Sequence, residues 1–257
     1  MGNLQYQGST NTWRFAEHQY DMVGEDNENI SEKYDGWIDL FGWGTSGWNS
    51  GAIAYHPYSI SPNYADYYPG ENFENNLTDD YANADWGVYN YISNDETSTE
   101  EWRTITMREI IYLMSSRANA SSKSGIGNVN GVNGLVLLPD NWILPNGLPS
   151  FNSGASGNFL QNTYSISEWA MMESNGAIFF PANGRRKGTD IFDVESLGYY
   201  WSASSAKNVE NAHYWSGVFV FDNANVISAS LNATRRCYGQ SVRLIRDYHY
   251  LFDVYDI

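Results

Sequence analysis

The apolar segments of this chain are short, and this limits what it can fold into. The two longest cover residues 134–138, which Pro139 ends, and residues 176–180, which Pro181 ends. A membrane-spanning helix needs about 20 consecutive apolar residues. These segments therefore indicate buried strands of a globular protein. With 257 residues, the chain is long enough to bury a substantial core.

Two short helices are marked by the residues that begin them. Thr106 and Glu109 have the spacing of a capping box, in which the hydroxyl accepts from the amide of Glu109 and the carboxylate reaches back. Ser165 and Glu168 repeat this spacing, and apolar residues follow both pairs. Gly176 predicts a left-handed stop for the second helix.

The remaining periodic segments predict strands. Residues 4–6 and 12–15 form an N-terminal β-hairpin, and residues 21–100 predict long ordered loops because they are rich in Gly, Asn, Asp, Tyr and Trp with little periodicity. Strands with two separated helices indicate an α+β fold. We predict one domain over residues 1–257 with a loop-rich insertion at about 21–100. Further strands are expected at 134–138, 177–180, 199–203, 213–221, 225–230 and 240–246.

Composition narrows the class of partner. The chain has 14 basic and 30 acidic residues, for a net charge of −16, so we expect no nucleic-acid partner and no binding to anionic membranes. It also has 10 Trp, 20 Tyr and 11 Phe. Rings combined with Ser, Gly and Asn are typical of a binding surface, although most of these rings are expected to fill the core.

The cysteine count bears on localisation. Cys237 is the single cysteine, so no internal disulfide can form, and a bacterial surface protein fits better than a eukaryotic secreted domain. No signal peptide is visible, and we expect the targeting segment to have been removed upstream of Met1.

No motif points to catalysis. Residues 42–47 match G-x-G-x-x-G, but residues 48–51 are poor at opening a helix, so we interpret this segment as a tight aromatic-glycine loop. There is no G-x-S-x-G motif, and the four histidines lack zinc-site spacing. Acidic clusters near residues 25–28, 79–80 and 95–96 offer calcium-type oxygens without EF-hand spacing. We expect solvated loops there, and we predict no catalytic residue, no metal and no cofactor, with calcium unsupported.

Several phrases together resemble a known family. They are residues 2–6, 13–15, 36–47, 102–106, 130–134, 138–142, 180–185, 198–202 (Gly-Tyr-Tyr-Trp-Ser) and 239–246 (Gly-Gln-Ser-Val-Arg-Leu-Ile-Arg). The set resembles the Fibrobacter succinogenes major paralogous domain (FISUMP) family, whose members are abundant on surface lipoproteins and other exported proteins of gut Bacteroidetes. The resemblance covers nearly the whole chain and is most specific from residue 102 to 247.

This resemblance implies a C-type-lectin-like fold, with small twisted antiparallel sheets, two short helices and long ordered loops. The same fold includes formylglycine-generating enzymes and the variable proteins of diversity-generating retroelements. It implies that the first and last strands pair. It supplies no catalytic residues, because Cys237 stands alone, and the calcium-dependent sugar-binding motifs of animal C-type lectins are missing.

In retroelement-diversified proteins the variable residues precede the closing strand, which corresponds to residues 204–238 here. The residue types in this window suit a mutable binding face, although Asn- and Ser-rich stretches are equally typical of plain hairpin loops. The predicted ligand-binding residues are Lys207, Asn208, Glu210, Asn211, His213, Tyr214, Trp215, Asn225, Ser228, Ser230, Asn232, Arg235 and Tyr238.

These observations favour a non-enzymatic ligand-binding or adhesion module of a bacterial surface or secreted protein. Its expected partner is a protein or glycan on a cell surface, bound through this face with help from the aromatic-glycine loop. One alternative is a structural component of a pilus or phage tail tip. A glycan-active enzyme is a further alternative, and it would require two carboxylates converging in an aromatic cleft.

Overall fold

The computed structural model describes residues 1–95, 102–207, 212–225 and 233–246. Within these ranges the chain forms short strands and three α-helices, joined by turns and short 3-10 helices. The helices are α1 (Trp86–Tyr89), α2 (Met107–Ile111) and α3 (Ile166–Ser174). The strands are β1 (Leu4–Gln7), β2 (Thr12–Phe15), β3 (Trp102–Thr104), β4 (Ser124–Val129), β5 (Val132–Leu137), β6 (Thr163–Tyr164), β7 (Ile178–Pro181), β8 (Arg185–Lys187), β9 (Asp190–Phe192), β10 (Leu197–Ser205), β11 (Trp215–Asp222), β12 (Ala233–Arg235), β13 (Tyr238–Gly239) and β14 (Leu244–Arg246).

The strands assemble into small sheets, which confirms the α+β class. The sheet orders are β1-β2, β14-β3, β13-β8-β9, β10-β11-β12 and β6-β4-β5-β7. Pairing is antiparallel except between β4 and β6, where Asn128 and Val129 pair in parallel with Thr163 and Tyr164. This exception arises because β6 reaches β4 through the long connection after β5 and not through a tight hairpin.

The features encoded by neighbouring residues are confirmed. β1 and β2 form the predicted hairpin, with Leu4 opposite Phe15. Both capping boxes are present, at Thr106 before α2 and at Ser165 before α3. Gly176 follows α3 with a φ of +87°. α2 continues as one turn of π-helix over residues 112–116, which the sequence did not indicate.

The closing segment differs from what the resemblance implies. β14 pairs with β3, with Leu244 opposite Thr104. Among the described residues β1 meets the segment before β14 through one backbone hydrogen bond, in which the amide of Leu4 donates to the carbonyl of Val242 at 3.0 Å. The predicted strand at 240–246 is consequently shorter. Gln240 and Ser241 bridge instead to single residues elsewhere in the chain. The predicted strand at 225–230 lies almost wholly outside the described residues.

The segment from residue 21 to 95 is irregular and also contributes to the core. It contains short 3-10 helices and the single turn α1. Trp43 and Trp86 are completely buried in a cluster that also includes Trp201 and Val242. The Nε1 of Trp43 donates to the carbonyl of Ser202 at 2.8 Å. The expectation that the aromatic-glycine loop presents its ring to a ligand is therefore wrong for Trp43.

Candidate functional site

A groove of about 440 Å³ opens where β10, β11 and β12 meet β8 and β13. We call it the strand groove. Val218 and Val220 supply its buried apolar part, and the half-buried rings of Tyr199, Trp215 and Tyr238 line it. Its other lining residues among those described are Arg185, Ala233, Thr234 and Arg235.

Strand pairing brings a ring and a cation together twice around this groove. Trp215 of β11 lies opposite Arg235 of β12, and Tyr238 of β13 lies opposite Lys187 of β8. Opposed residues of an antiparallel pair have Cβ atoms about 4.5–5.5 Å apart. The Lys187 Nζ lies 5.1 Å from the centroid of the Tyr238 ring. The groove is thus bordered by aromatic faces with positive charges beside them.

Arg185 lines the same groove. Its guanidinium carbon lies 5.0 Å from the centroid of the Tyr199 ring, and its Nε lies 2.9 Å from a carboxylate oxygen of Asp193. Burial raises the pKa of Tyr199, and the positive charge of Arg185 opposes this effect. The Tyr199 hydroxyl is therefore neutral at physiological pH and able to donate a hydrogen bond.

A second arginine supports the groove from below. Arg236 is completely buried, and its Nε donates to the carbonyl of Trp215 at 3.2 Å. Another of its nitrogens donates to the carbonyl of Phe73 at 2.5 Å. Burial lowers the pKa of Arg236 to about 9, so the group stays charged at pH 7. Arg236 thereby ties the backbone of Trp215 to the segment of residues 21–95.

His213 and Tyr214, two of the predicted site residues, lie in an adjacent aromatic cluster. The ring centroids of Tyr214 and Tyr64 are 4.1 Å apart in an edge-to-face arrangement. The hydroxyl of Tyr68 donates to the carbonyl of His213 at 2.5 Å, and the His213 ring contacts Phe73 edge-on. These contacts leave His213 and Tyr214 only partly exposed, so they fix the position of Trp215 next to them.

The structure therefore brings together some of the predicted site residues and separates others. Trp215, Arg235 and Tyr238 line the strand groove. Lys207 is exposed after β10, and Asn225 is exposed beyond the far end of β11, where its amide donates to Asp222 at 2.6 Å. Trp215 and Asp222 are the two ends of β11, and at about 3.3 Å per residue this places Asn225, which bonds to Asp222, roughly 23 Å from Trp215. The predicted residues Asn208, Glu210, Asn211, Ser228, Ser230 and Asn232 lie outside the described residues.

Sequence reasoning missed Arg185, Lys187 and Tyr199, which lie before the predicted window. A signal for the first two was present, because residues 185–187 are the one run of three basic residues in this acidic chain. No comparable signal marks Tyr199, since its place in the groove depends on the pairing of β10 with β11.

A wider opening of about 740 Å³, here called the N-terminal cleft, lies near β1 and β2. The carboxylates of Glu17, Asp21 and Asp26 line it. The Arg14 guanidinium stacks 3.8 Å from the centroid of the Trp37 ring in the same cleft. Asp21 already accepts a hydrogen bond from the amide of His18 at 2.8 Å. Glu17 and Asp26 are therefore the more available carboxylates of the N-terminal cleft.

The described residues show neither a metal-binding cluster nor a membrane-spanning helix. No group of three or more His, Cys, Asp or Glu side chains is arranged to hold a metal ion in those ranges. In the same part of the chain no helix has the length and apolar character needed to cross a bilayer. Comparison with protein-family models, curated proteins and solved structures gave no match to this chain.

Proposed function

We propose that this chain is a ligand-binding module of an exported bacterial surface or secreted protein, with the strand groove as its binding site. The observation that carries this proposal is the composition of the groove. Three half-buried rings and two arginines surround an apolar floor in about 440 Å³. Small-ligand sites typically have about 300–1,000 Å³, apolar walls and a few polar groups that fix orientation.

The proposed fold is C-type-lectin-like, on the strength of the resemblance to the FISUMP family. The α+β arrangement of small sheets and long ordered loops is compatible with it. Under this proposal Trp215, Arg235 and Tyr238 belong to the face that diversity-generating retroelements vary in proteins of this fold. Variation at these positions would change the ligand while the buried residues beneath them keep the backbone in place.

The proposed role is binding and not catalysis. The described lining of the groove contains no carboxylate, histidine or thiol, and these are the groups that most often act as general acid, general base or nucleophile. Tyr and Trp rings supply a large contact area with little loss of conformational entropy, as a recognition site requires.

The test is a binding screen on immobilised glycans and host surface proteins, with the wild-type chain and a Trp215→Ala, Tyr238→Ala double variant. Tyr91→Ala is the matched control, because Tyr91 is an exposed ring outside the groove lining. We expect binding that the double variant loses and the control keeps, with both variants folded by circular dichroism. Binding that survives in the double variant would exclude the groove as the site.

A glycan-active enzyme is the second candidate, and the N-terminal cleft favours it. Glu17 and Asp26 line this cleft with the Trp37 ring, and glycosidases use two carboxylates flanking a sugar. Release of reducing sugar from the same glycans, lost in both Glu17→Gln and Asp26→Asn, would establish this activity. No release from any glycan would remove it.

A further inference from the structure

The strand groove concentrates positive charge on a strongly acidic protein. The chain has 30 acidic and 14 basic residues, and five of these basic residues lie at 185–187 and 235–236. Arg185 and Arg235 line the groove, and Lys187 lies against the ring of Tyr238. Random placement would not be expected to bring five of so few basic residues together. The clustering therefore indicates a local role for positive charge at the groove.

Two of the three cations around the groove are not neutralised by the protein in the ranges that the structure describes. Arg185 forms an ion pair with Asp193. In those ranges Arg235 and Lys187 have no carboxylate within ion-pair distance, and Arg235 is exposed. An exposed guanidinium is able to bind a carboxylate with two parallel hydrogen bonds.

Two buried charges below the groove add to the same field. Arg186 and Arg236 are completely buried. Their described hydrogen bonds all go to backbone carbonyls, those of Leu40, Ser59 and Gly188 for Arg186, and those of Phe73 and Trp215 for Arg236. Salt screens buried charges much less than exposed ones. Their field therefore reaches the groove and favours an anion there.

We propose that the strand groove binds a carboxylated sugar, such as a uronic or sialic acid residue of a glycan. This inference rests on the proposed binding function and names its ligand class. Arg235 and Lys187 bind the carboxylate, and the rings of Trp215 and Tyr238 pack on the C–H faces of the sugar through their electron-rich surfaces. The concave shape and volume suit a compact ligand better than the flat surface of a protein, which usually needs about 800 Å² per partner.

The positive charge at the groove favours an anionic ligand, whereas the net charge of the protein disfavours one. A chain of charge −16 repels anions at long range, so association with an acidic glycan is slowed at low salt. Within about 10 Å at 0.1 M salt, which is the screening length, the arginines and Lys187 dominate. The groove thereby discriminates a carboxylate on a sugar from polyanions too large to enter it.

The experiment compares each acidic glycan with its neutral partner by isothermal titration calorimetry. The probes are trigalacturonate against its methyl ester, and sialyllactose against lactose. The variants are Arg235→Gln, Lys187→Gln and Trp215→Ala, with Arg108→Gln as the matched control, because Arg108 is exposed and outside the groove lining. Arg235→Lys tests whether charge alone is sufficient.

We expect at least one acidic probe to bind at least about tenfold more tightly than its neutral partner, which corresponds to about 1.4 kcal/mol. Arg235→Gln should abolish this preference, Arg235→Lys should restore it in part, and Arg108→Gln should leave it unchanged. If an acidic glycan and its neutral partner bind equally tightly, and Trp215→Ala abolishes both, the carboxylate inference is overturned and the binding function stands. If neither acidic probe binds, while the array shows another ligand whose capture depends on Trp215, the carboxylate inference is again overturned and the binding function stands. Acidic-probe binding that Trp215→Ala and Arg235→Gln leave intact would overturn both proposals.

Discussion

The guanidinium carbon of Arg236 lies 4.4 Å from the centroid of the Trp43 ring. The two residues are 193 positions apart in the sequence, and both side chains are completely buried. The same guanidinium lies 5.1 Å from the Tyr68 ring centroid. Through this contact the residue that follows β12 holds the irregular segment 21–95 against the strands, and the backbone of Trp215 is fixed between them.

Arg236→Met should destabilise the protein by about 2–4 kcal/mol. The substitution removes the stacked cation and leaves the carbonyls of Phe73 and Trp215 without their donor, and each unsatisfied buried group costs about 1–3 kcal/mol. Arg235→Met is the matched control, because the neighbouring exposed side chain should change stability by less than about 0.5 kcal/mol. Urea unfolding followed by circular dichroism measures both. Equal midpoints for the two variants would contradict a supporting role for Arg236.

A pair of glycines beside the groove offers a sharper test of backbone packing. Gly184 and Gly188 flank β8 with φ values of +69° and +62°. A Cβ at Gly184 would lie 2.1 Å from the backbone oxygen of Phe192, whereas a Cβ at Gly188 would meet nothing within 4 Å. Both alanine variants carry the left-handed strain of about 1–2 kcal/mol. Only Gly184→Ala also forces β8 away from the segment after β9.

We therefore expect Gly184→Ala to cost at least about 2 kcal/mol more than Gly188→Ala in urea unfolding, since overpacking typically costs about 1–3 kcal/mol. Gly184→Ala should also weaken any groove ligand, because Arg185 follows it directly. If the two variants unfold at the same urea concentration, the close approach of Phe192 to Gly184 is not present in solution.

Sequence reasoning predicted those parts of the molecule that neighbouring residues determine. The capping boxes at Thr106 and Ser165 need only contacts within four residues, and both were found. The burial of Trp43 depends on a hydrogen bond to Ser202, 159 residues away, so local composition misassigned it. The candidate site divides in a similar way, into residues that the sequence indicated and residues that long-range pairing places there. Trp215, Arg235 and Tyr238 were predicted from the resemblance to known binding faces, whereas Arg185 and Tyr199 enter through the pairing of distant strands.

Stability should depend on pH with a maximum on the acidic side of neutrality. Burial is the main cause that raises the pKa of Asp39 and of Asp85 to about 6, from an ordinary value of 3.8. Between about pH 4 and pH 6 the folded state therefore binds protons that the unfolded chain does not, and stability falls as the pH rises through this window. Glu109 acts in the opposite direction. Hydrogen bonds from Arg103 lower its pKa from 4.5 to about 2, so its contribution is lost as the pH falls through that range.

We expect the melting temperature to be highest near about pH 4, to decline from there to about pH 6, and to decline also towards pH 2. Glu109→Gln should lower the melting temperature at pH 7, and the difference from wild type should shrink as the pH falls from about 4.5 to about 2, because Glu109 is protonated first in the unfolded and then in the folded state. Differential scanning fluorimetry across this range measures both effects. A melting temperature that rises steadily from pH 4 to pH 6 would contradict the assigned shifts of Asp39 and Asp85.

Cys237 provides a chemical reporter of the groove. Its side chain is buried against Ala54, Tyr67 and Tyr238, and burial raises the pKa of its thiol. The thiolate is the reactive form, so reaction with a disulfide reagent at pH 8 requires local opening. We expect labelling of the native chain to be at least about 100-fold slower than labelling in denaturant, which corresponds to a local opening free energy of about 2.7 kcal/mol.

The labelling rate of Cys237 should respond both to the loss of Arg236 and to a ligand that contacts Tyr238. Arg236→Met should increase labelling because it loosens the turn between β12 and β13, whereas Arg235→Met should not. A ligand in the strand groove contacts Tyr238, which covers the thiol, and should slow labelling further in proportion to its occupancy. Stopped-flow absorbance with the probes of the calorimetry experiment measures this directly. A ligand that binds without changing the labelling rate would place its site away from Tyr238, and the N-terminal cleft would then be the first alternative to test.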